Sequence, residues 1–333
     1  MNAGPDRAVA DAAYYVVGVD LGGTKIRAGI ASETGTILAD RKVPTNAGGA
    51  SIVEQIVALV SELCAVVGAG TEQVAATGIG GAGVPDSSGE NFDQAPNLSG
   101  LRDVPFAQDL MQRLGHPVII ENDVNVAALG ELHYGLGLGH SDFVFVSVGT
   151  GIGMGIVADG QLIRGARGAA GEIGYLPFGT DPLTPENHVR GPLEEAVAGD
   201  ALVRRYEMAT GDQISAREIF TKVQDGDADA RSAIDDEARW LAAALVAVHA
   251  VLDPEVFVIG GGIGSRKEML PHLHTWLARH GASSLDIRIS ELGHRAPVAG
   301  AVRLALAAAK PGLPTPTATL SAPAAPAQKG HTP

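Results

Sequence analysis

Residues 14–31 read YYVVGVDLGGTKIRAGIA. A β-rich run ends on an aspartate, passes Gly22-Gly23, and resumes as a second apolar run, which is strand, tight turn, strand. A third strand is expected at 36–43, so the opening is an antiparallel meander. The stretch 51–66 sets Ile52, Ile56, Val57, Val60 and Leu63 at helical spacing, with Ser51 the expected N-cap. A strand at 74–79, a helix near 105–114 and a strand at 118–120 complete a β-β-β-α-β-α-β series. The layout then restarts. Strands at 142–148 and 153–158 flank a second glycine turn, a long helix covers 228–252, and a strand at 255–259 runs into Gly260-Gly261-Gly262. Two α/β halves each open with strand, glycine turn and strand, sharing layout rather than sequence.

A chain of 333 residues is long enough for about two domains, and 45% apolar residues supply their cores. With 7 Phe, 5 Tyr and 2 Trp, those cores are built mostly from Ala, Val, Leu and Ile. The 44 glycines, about twice the usual share, ask for positive φ or close approach. Thirty-eight acidic against 24 basic residues give a net charge of −14, which opposes attraction to nucleic acid or anionic lipid. Cys64 is the only cysteine. It excludes an intrachain disulfide or a multi-cysteine zinc site and fits a reducing cytoplasm. Asp6 and Asp11 interrupt the N-terminus before a signal-peptide run develops. The longest apolar span, 241–252, is too short to cross a bilayer. Residues 1–13 are expected to be flexible, and the Pro/Ala-rich 311–333 disordered.

Three segments repeat one design: DLGGTK (20–25), GTGIG (149–153) and GGGIG (260–264). Each brings a strand into a glycine turn whose N–H groups can approach an anion. A plain hairpin is the simpler reading of any one turn; all three at strand ends point to a nucleotide. None is a P-loop, and none opens into a helix with the dinucleotide fingerprint. Asp20 is placed to hold Mg²⁺, directly or through water. Asp123 precedes a helical run, so it is either an N-cap or a general base that the helix dipole keeps ionised. Glu172 and Glu194 read most simply as exposed surface charge, Glu194 also as a first-turn helix residue after Pro192, and Asn97 as a turn residue. They also have the chemistry to satisfy sugar hydroxyls.

The segments VGVDLGGTKIRAGI (17–30), QAPNLSG (94–100), ENDVNVAALGE (121–131), VSVGTGIGMGIV (146–157), RGARGAAGEIG (164–174), GPLEEAVAG (191–199) and VIGGGIG (258–264) occur in an order that resembles the ROK family of sugar kinases and related repressors. The resemblance implies an α/β, actin-like (ribonuclease-H-like) fold with two lobes around a cleft. The lobes would be 14–121 plus about 295–310, and 122–294. It implies ATP with Mg²⁺, with phosphates at Gly22, Gly23, Thr24 and Lys25 and at Gly149, Thr150 and Gly151, and adenosine near Gly261 and Gly262. It makes Asp123 the catalytic base and puts sugar contacts at Gly83, Asn97, Asn122, Glu172, Tyr175 and Glu194. The implied activity is glucokinase-like phosphorylation of a hexose at C6 by a cytoplasmic homodimer, with no nucleic-acid or membrane partner.

Two departures bear on that reading. Where many family members carry a histidine and a cysteine-rich zinc loop, this chain has Tyr175, Pro185, Asn187 and Pro192. No structural zinc of that type is expected, and the loop 177–192 must be held by packing and its prolines. With the first strand expected near residue 14, a winged helix like that of the repressors is not expected. The alternative function is a non-catalytic sugar or nucleotide sensor without a DNA-binding domain. A polyanionic donor would need a basic track that the sequence lacks.

Overall fold

The computed structural model describes residues 14–46, 49–86, 89–93 and 105–309, with the backbone alone at 49–51 and 93. The expected flexible N-terminus, the disordered tail and the Asn97 segment lie outside the described residues.

The opening stretch folds as read. Strands β1 (Tyr15–Leu21), β2 (Lys25–Ser32) and β3 (Ile37–Pro44) pair antiparallel. Strands β4 (Val74–Gly81) and β7 (Val118–Asn122) add parallel to β1, giving the order β3-β2-β1-β4-β7. One face of this sheet buries Val17, Val19, Leu21, Ile26, Ile30 and Ile79 under helices α1 (Gly49–Val67) and α2 (Phe106–Leu114). Helix α1 begins two residues before Ser51, so Ser51 lies inside it rather than capping it. Its start needs no apolar residue to turn the chain in, so the first apolar position misplaced the boundary.

The other face carries Gly18, Gly29 and Gly78, and there helix α8 (Ala296–Ala309) lies at backbone distance. A Cβ on Gly18 would press on the backbone of Val298 and Val302. Helix α3 (Asp123–Tyr134) crosses α8 just as closely. Gly130 faces the Ala296 carbonyl and Gly300 faces that of Val126, with no room for a methyl at either.

The second sheet has the order β10-β9-β8-β11-β12. Its strands are β8 (Phe143–Val148), β9 (Ile152–Ala158), β10 (Gln161–Ile163), β11 (Val256–Gly260) and β12 (Ile287–Ile289). A large core of Val146, Phe257, Tyr206, Phe220, Leu241 and Leu245 joins it to helices α4 (Gly199–Thr210), α5 (Ala216–Gln224), α6 (Ala228–Leu252) and α7 (Met269–Arg279). Helix α6 matches the span read from its apolar face, and Asp227 caps it by accepting from the Ala230 N–H at 2.9 Å. Helix α3 seats on the opposite face, where Gly153 and Gly155 make room for Val124 and Ala128. Short strands β5 (Val84–Pro85) and β6 (Phe92–Asp93) form a separate ribbon. No helix among the described residues is long and apolar enough to cross a membrane.

Candidate active site

The three glycine turns share a detail that their sequences do not display. In the β1–β2 turn the Gly22 N–H closes the turn on the Lys25 carbonyl at 3.0 Å. In the β8–β9 turn the Gly149 N–H closes on Gly151 at 2.9 Å. These two expected phosphate donors are therefore spent inside their own turns. The next N–H groups, of Gly23 and Thr24 and of Thr150 and Gly151, have no protein acceptor among the described residues. Nor do those of Gly261 and Gly262 after β11. Each turn thus leaves two consecutive N–H groups free, which is a nest for an anion. The second and third nests adjoin, since a Cβ on Gly149 would lie 3.7 Å from the Gly262 nitrogen. Lys25 is exposed at the start of β2, beside the first nest.

Asp123 opens α3, but it is not the cap. Asn122 is, accepting from the N–H groups of Val124 at 2.9 Å and Asn125 at 3.1 Å. The amide of Asn122 donates to the Gly83 carbonyl at 3.1 Å, tying the β4–β5 turn to the head of α3. Gly83 holds φ of 135°, a value that favours glycine. With the cap supplied next door, the Asp123 carboxylate is left free of that role, and its Oδ1 accepts the Val124 N–H at 2.9 Å.

Burial raises the Asp123 carboxyl above its ordinary range, and the N–H groups of Val124 and Asp123 oppose that rise. Desolvation thus outweighs the local amides, and it acts against the expected effect of the helix dipole. Asp20 is pushed up to about 6 by burial first and then by the charge of Asp123, while Arg27 and Lys25 pull it down. Glu172 is raised by burial, then by Asp123 and by Glu194. The charge of Asp123 thus acts on both Asp20 and Glu172, and that of Glu194 on Glu172, although these carboxylates come from β1, α3 and two separate loops.

Glu194 is not in the first turn of a helix; it lies in a run of turns before α4. One of its oxygens accepts from the Ile152 N–H and the other from Arg190 Nε, both at 2.9 Å, so it braces the second nest. Tyr175 is 49% exposed and donates its hydroxyl to the Val189 carbonyl at 3.3 Å. Polar contacts staple the 177–192 loop in addition to packing, which places Phe178 against the core. Thr180 donates to the Pro192 carbonyl at 3.0 Å and Asn187 to that of Asp181 at 2.8 Å, while His188 Nε2 meets the Pro182 carbonyl at 2.7 Å.

A profile of the ROK family matches residues 16–308. The chain belongs to the ROK family. A glucokinase of Streptomyces coelicolor is 33% identical over 312 residues, covering 87% of this chain and 96% of the relative. An N-acetylmannosamine kinase of Escherichia fergusonii is 34% identical over 294 residues, covering 86% and 97%. Among solved structures, a ROK glucokinase of Streptomyces griseus in complex with glucose and AMPPNP superposes with a TM-score of 0.74 at 32% identity. That match covers 87% of this chain and 99% of the other. The ROK hexokinase of Thermus thermophilus gives a TM-score of 0.75 at 33% identity, covering 87% and 97%. The fold is therefore the two-lobed, actin-like ATPase fold of ROK sugar kinases.

Two residues of this ROK chain escaped the sequence reading. Arg190 holds three elements at once: Glu194, Asp200 at 3.0 Å and the Thr150 carbonyl at 2.9 Å. The four-residue spacing from Arg190 to Glu194 was the available signal. Arg164 pairs with the buried Glu121, and nothing local marks it. The residues present fit a magnesium nucleotide. The Asp20 carboxylate accepts no hydrogen bond among the described residues, leaving both oxygens for a hydrated cation. A Cβ on Gly262 would meet nothing within 4 Å, so the turn beside Gly149 is open to a ligand.

Proposed function

We propose that the chain is a sugar kinase that transfers the γ-phosphoryl group of ATP to a hexose hydroxyl, glucokinase-like and acting at C6. The observation that supports this reading is Asp123, relieved of capping by Asn122, raised by burial and near enough to Asp20 and Glu172 for its charge to act on both. Phosphoryl transfer asks mainly for positioning and charge stabilisation. The nests of Gly23-Thr24 and Thr150-Gly151 orient the phosphates through fixed dipoles, and that of Gly261-Gly262 lies on the adenosine side. Asp123 accepts the proton of the attacking hydroxyl at a carboxylate oxygen, and its raised proton affinity makes it a stronger base than a solvated aspartate. Glu172, Asn122 and the Gly83 turn face the sugar, with Asn97 and Tyr175 as further contacts. Magnesium, held by Asp20 directly or through water, neutralises charge on the phosphates when bound. We further infer lobes at 14–121 plus 295–310 and at 122–294, and a cytoplasmic homodimer.

A coupled ADP-release assay over hexoses and amino sugars tests the reading. Asp123→Asn is expected to lower turnover with the best sugar by about 10²–10⁴-fold while nucleotide binding persists. Turnover that survives the substitution removes Asp123 as the base. If no sugar in the panel stimulates release from the wild type, the kinase reading fails in favour of a sensor.

A further inference from the structure

On the α8 face of the first sheet, outside the nests and the carboxylate group, the structure holds a cavity of about 330 Å³. Its floor is apolar, from Ile37 and Val298, and its polar lining is Arg27, Asp40, His294 and Arg295. It exists because α8 starts at Ala296, leaving the outer ends of β2 and β3 uncovered beside the turn 293–295.

The chain carries a net charge of −14, yet this cavity gathers two arginines and a histidine against a single aspartate. Arg27 and Arg295 make no ion pair among the described residues, although Asp40 shares their cavity. The imidazole of His294 is driven toward its neutral form by burial, and then by Arg27, Arg295 and Lys25, with Asp40 opposing. Three cations therefore converge on one uncharged ring donor. Unpaired like charges facing one another are costly, and a bound anion relieves the cost. Guanidinium forks suit a phosphate bidentately. The apolar floor suits a carbon body, and the volume lies within the range of small-ligand pockets.

We propose that this cavity is a second anion site, selective for a small organic phosphate monoester. Arg27 and Arg295 grip the phosphate, His294 donates to it, and Ile37 and Val298 receive the organic part. Arg27 also stands opposite Asp20 in the β1–β2 ladder, so an occupied site lies one strand from a carboxylate of the active site.

Calorimetric titration of the full chain with glycerol 3-phosphate and with inorganic phosphate, each with and without saturating AMPPNP, tests the proposal without measuring turnover. The ester is expected to bind at least fivefold more tightly than phosphate, and to do so in the presence of AMPPNP. Arg295→Gln, a change at an exposed residue, is expected to weaken the ester at least fivefold with Tm unchanged, and Arg27→Gln to do the same. Unaltered ester affinity in Arg295→Gln overturns the site. Displacement by AMPPNP assigns the anion to the nucleotide cleft and also overturns it, and equal affinity for phosphate overturns the ligand class.

Discussion

Arg164 Nε donates to Glu121 Oε2 at 2.5 Å, and Glu121 directly precedes Asn122 and Asp123. The pair joins the end of β7 in the first sheet to the loop after β10 in the second. The other Glu121 oxygen takes the Asn122 N–H at 2.9 Å and the Asn125 side chain at 3.0 Å, so the same carboxylate sets the head of α3. Glu121 is 4% exposed, and removing its partner leaves a charge without compensation. Arg164→Met is expected to cost about 3 kcal/mol, the low end for a broken buried pair because the arginine itself is partly exposed. Tm falls by several degrees, and kcat falls while the nucleotide KM holds. Adding Glu121→Gln to Arg164→Met is expected to recover part of the lost Tm. A thermal scan that shows the single variant unchanged removes the pair from this role.

Asp20 gives a pH signature. Its proton affinity near pH 6 exceeds the ordinary 3.8, so between those values the folded chain binds more protons than the unfolded one. Stability therefore declines as pH rises through that window, by at most about 3 kcal/mol at about 1.4 kcal/mol per unit. Asp20→Asn is expected to melt higher than wild type at pH 7.5 and equally at pH 3.5. Magnesium with ATP is expected to raise the wild-type Tm more than that of the variant. A constant Tm difference across pH counts against the assignment.

Gly261 and Gly262 are adjacent and predict opposite outcomes. Gly261 holds φ of 84°, and a Cβ there would strike the Val148 backbone, whereas a Cβ on Gly262 meets nothing within 4 Å. Gly261→Ala is expected to lower Tm, because both strain and overlap are introduced. Gly262→Val is expected to fold with wild-type Tm yet weaken ATP, since its side chain takes space that the nucleotide needs. Calorimetry with AMPPNP reads both, and undiminished affinity in Gly262→Val moves the nucleotide elsewhere.

Asp20 and the first nest belong to the first sheet, while Glu172 and the other two nests belong to loops of the second. A substrate gripped by both is expected to draw the sheets together and exclude water. Small-angle scattering with glucose and AMPPNP is expected to show a smaller radius of gyration. An unchanged radius with substrates demonstrably bound argues against closure.

Much of the fold was legible because β-branched runs such as 15–21 and the apolar stripe of 228–252 carry strong periodicity. Helix α8 was not assigned from its residues: AGAVRLALAAA is small and apolar on every side, and a helix buried all round shows no stripe. Strands β10 and β12, three residues each, are too short to show alternation. At the site, Asp123 was legible from its place before a helical run. Its neighbour's claim to the cap was not, since Asn and Asp cap about equally well. Arg164 lies 43 residues from Glu121, and no local pattern reports a contact that tertiary packing creates.

The crossing of α3 and α8, where Gly130 and Gly300 put backbone against backbone, leaves no cushion of side chains to shear. On the two-lobed reading, such a joint is expected to serve as an axle rather than a slide, because backbone in contact with backbone leaves no side chains to give way.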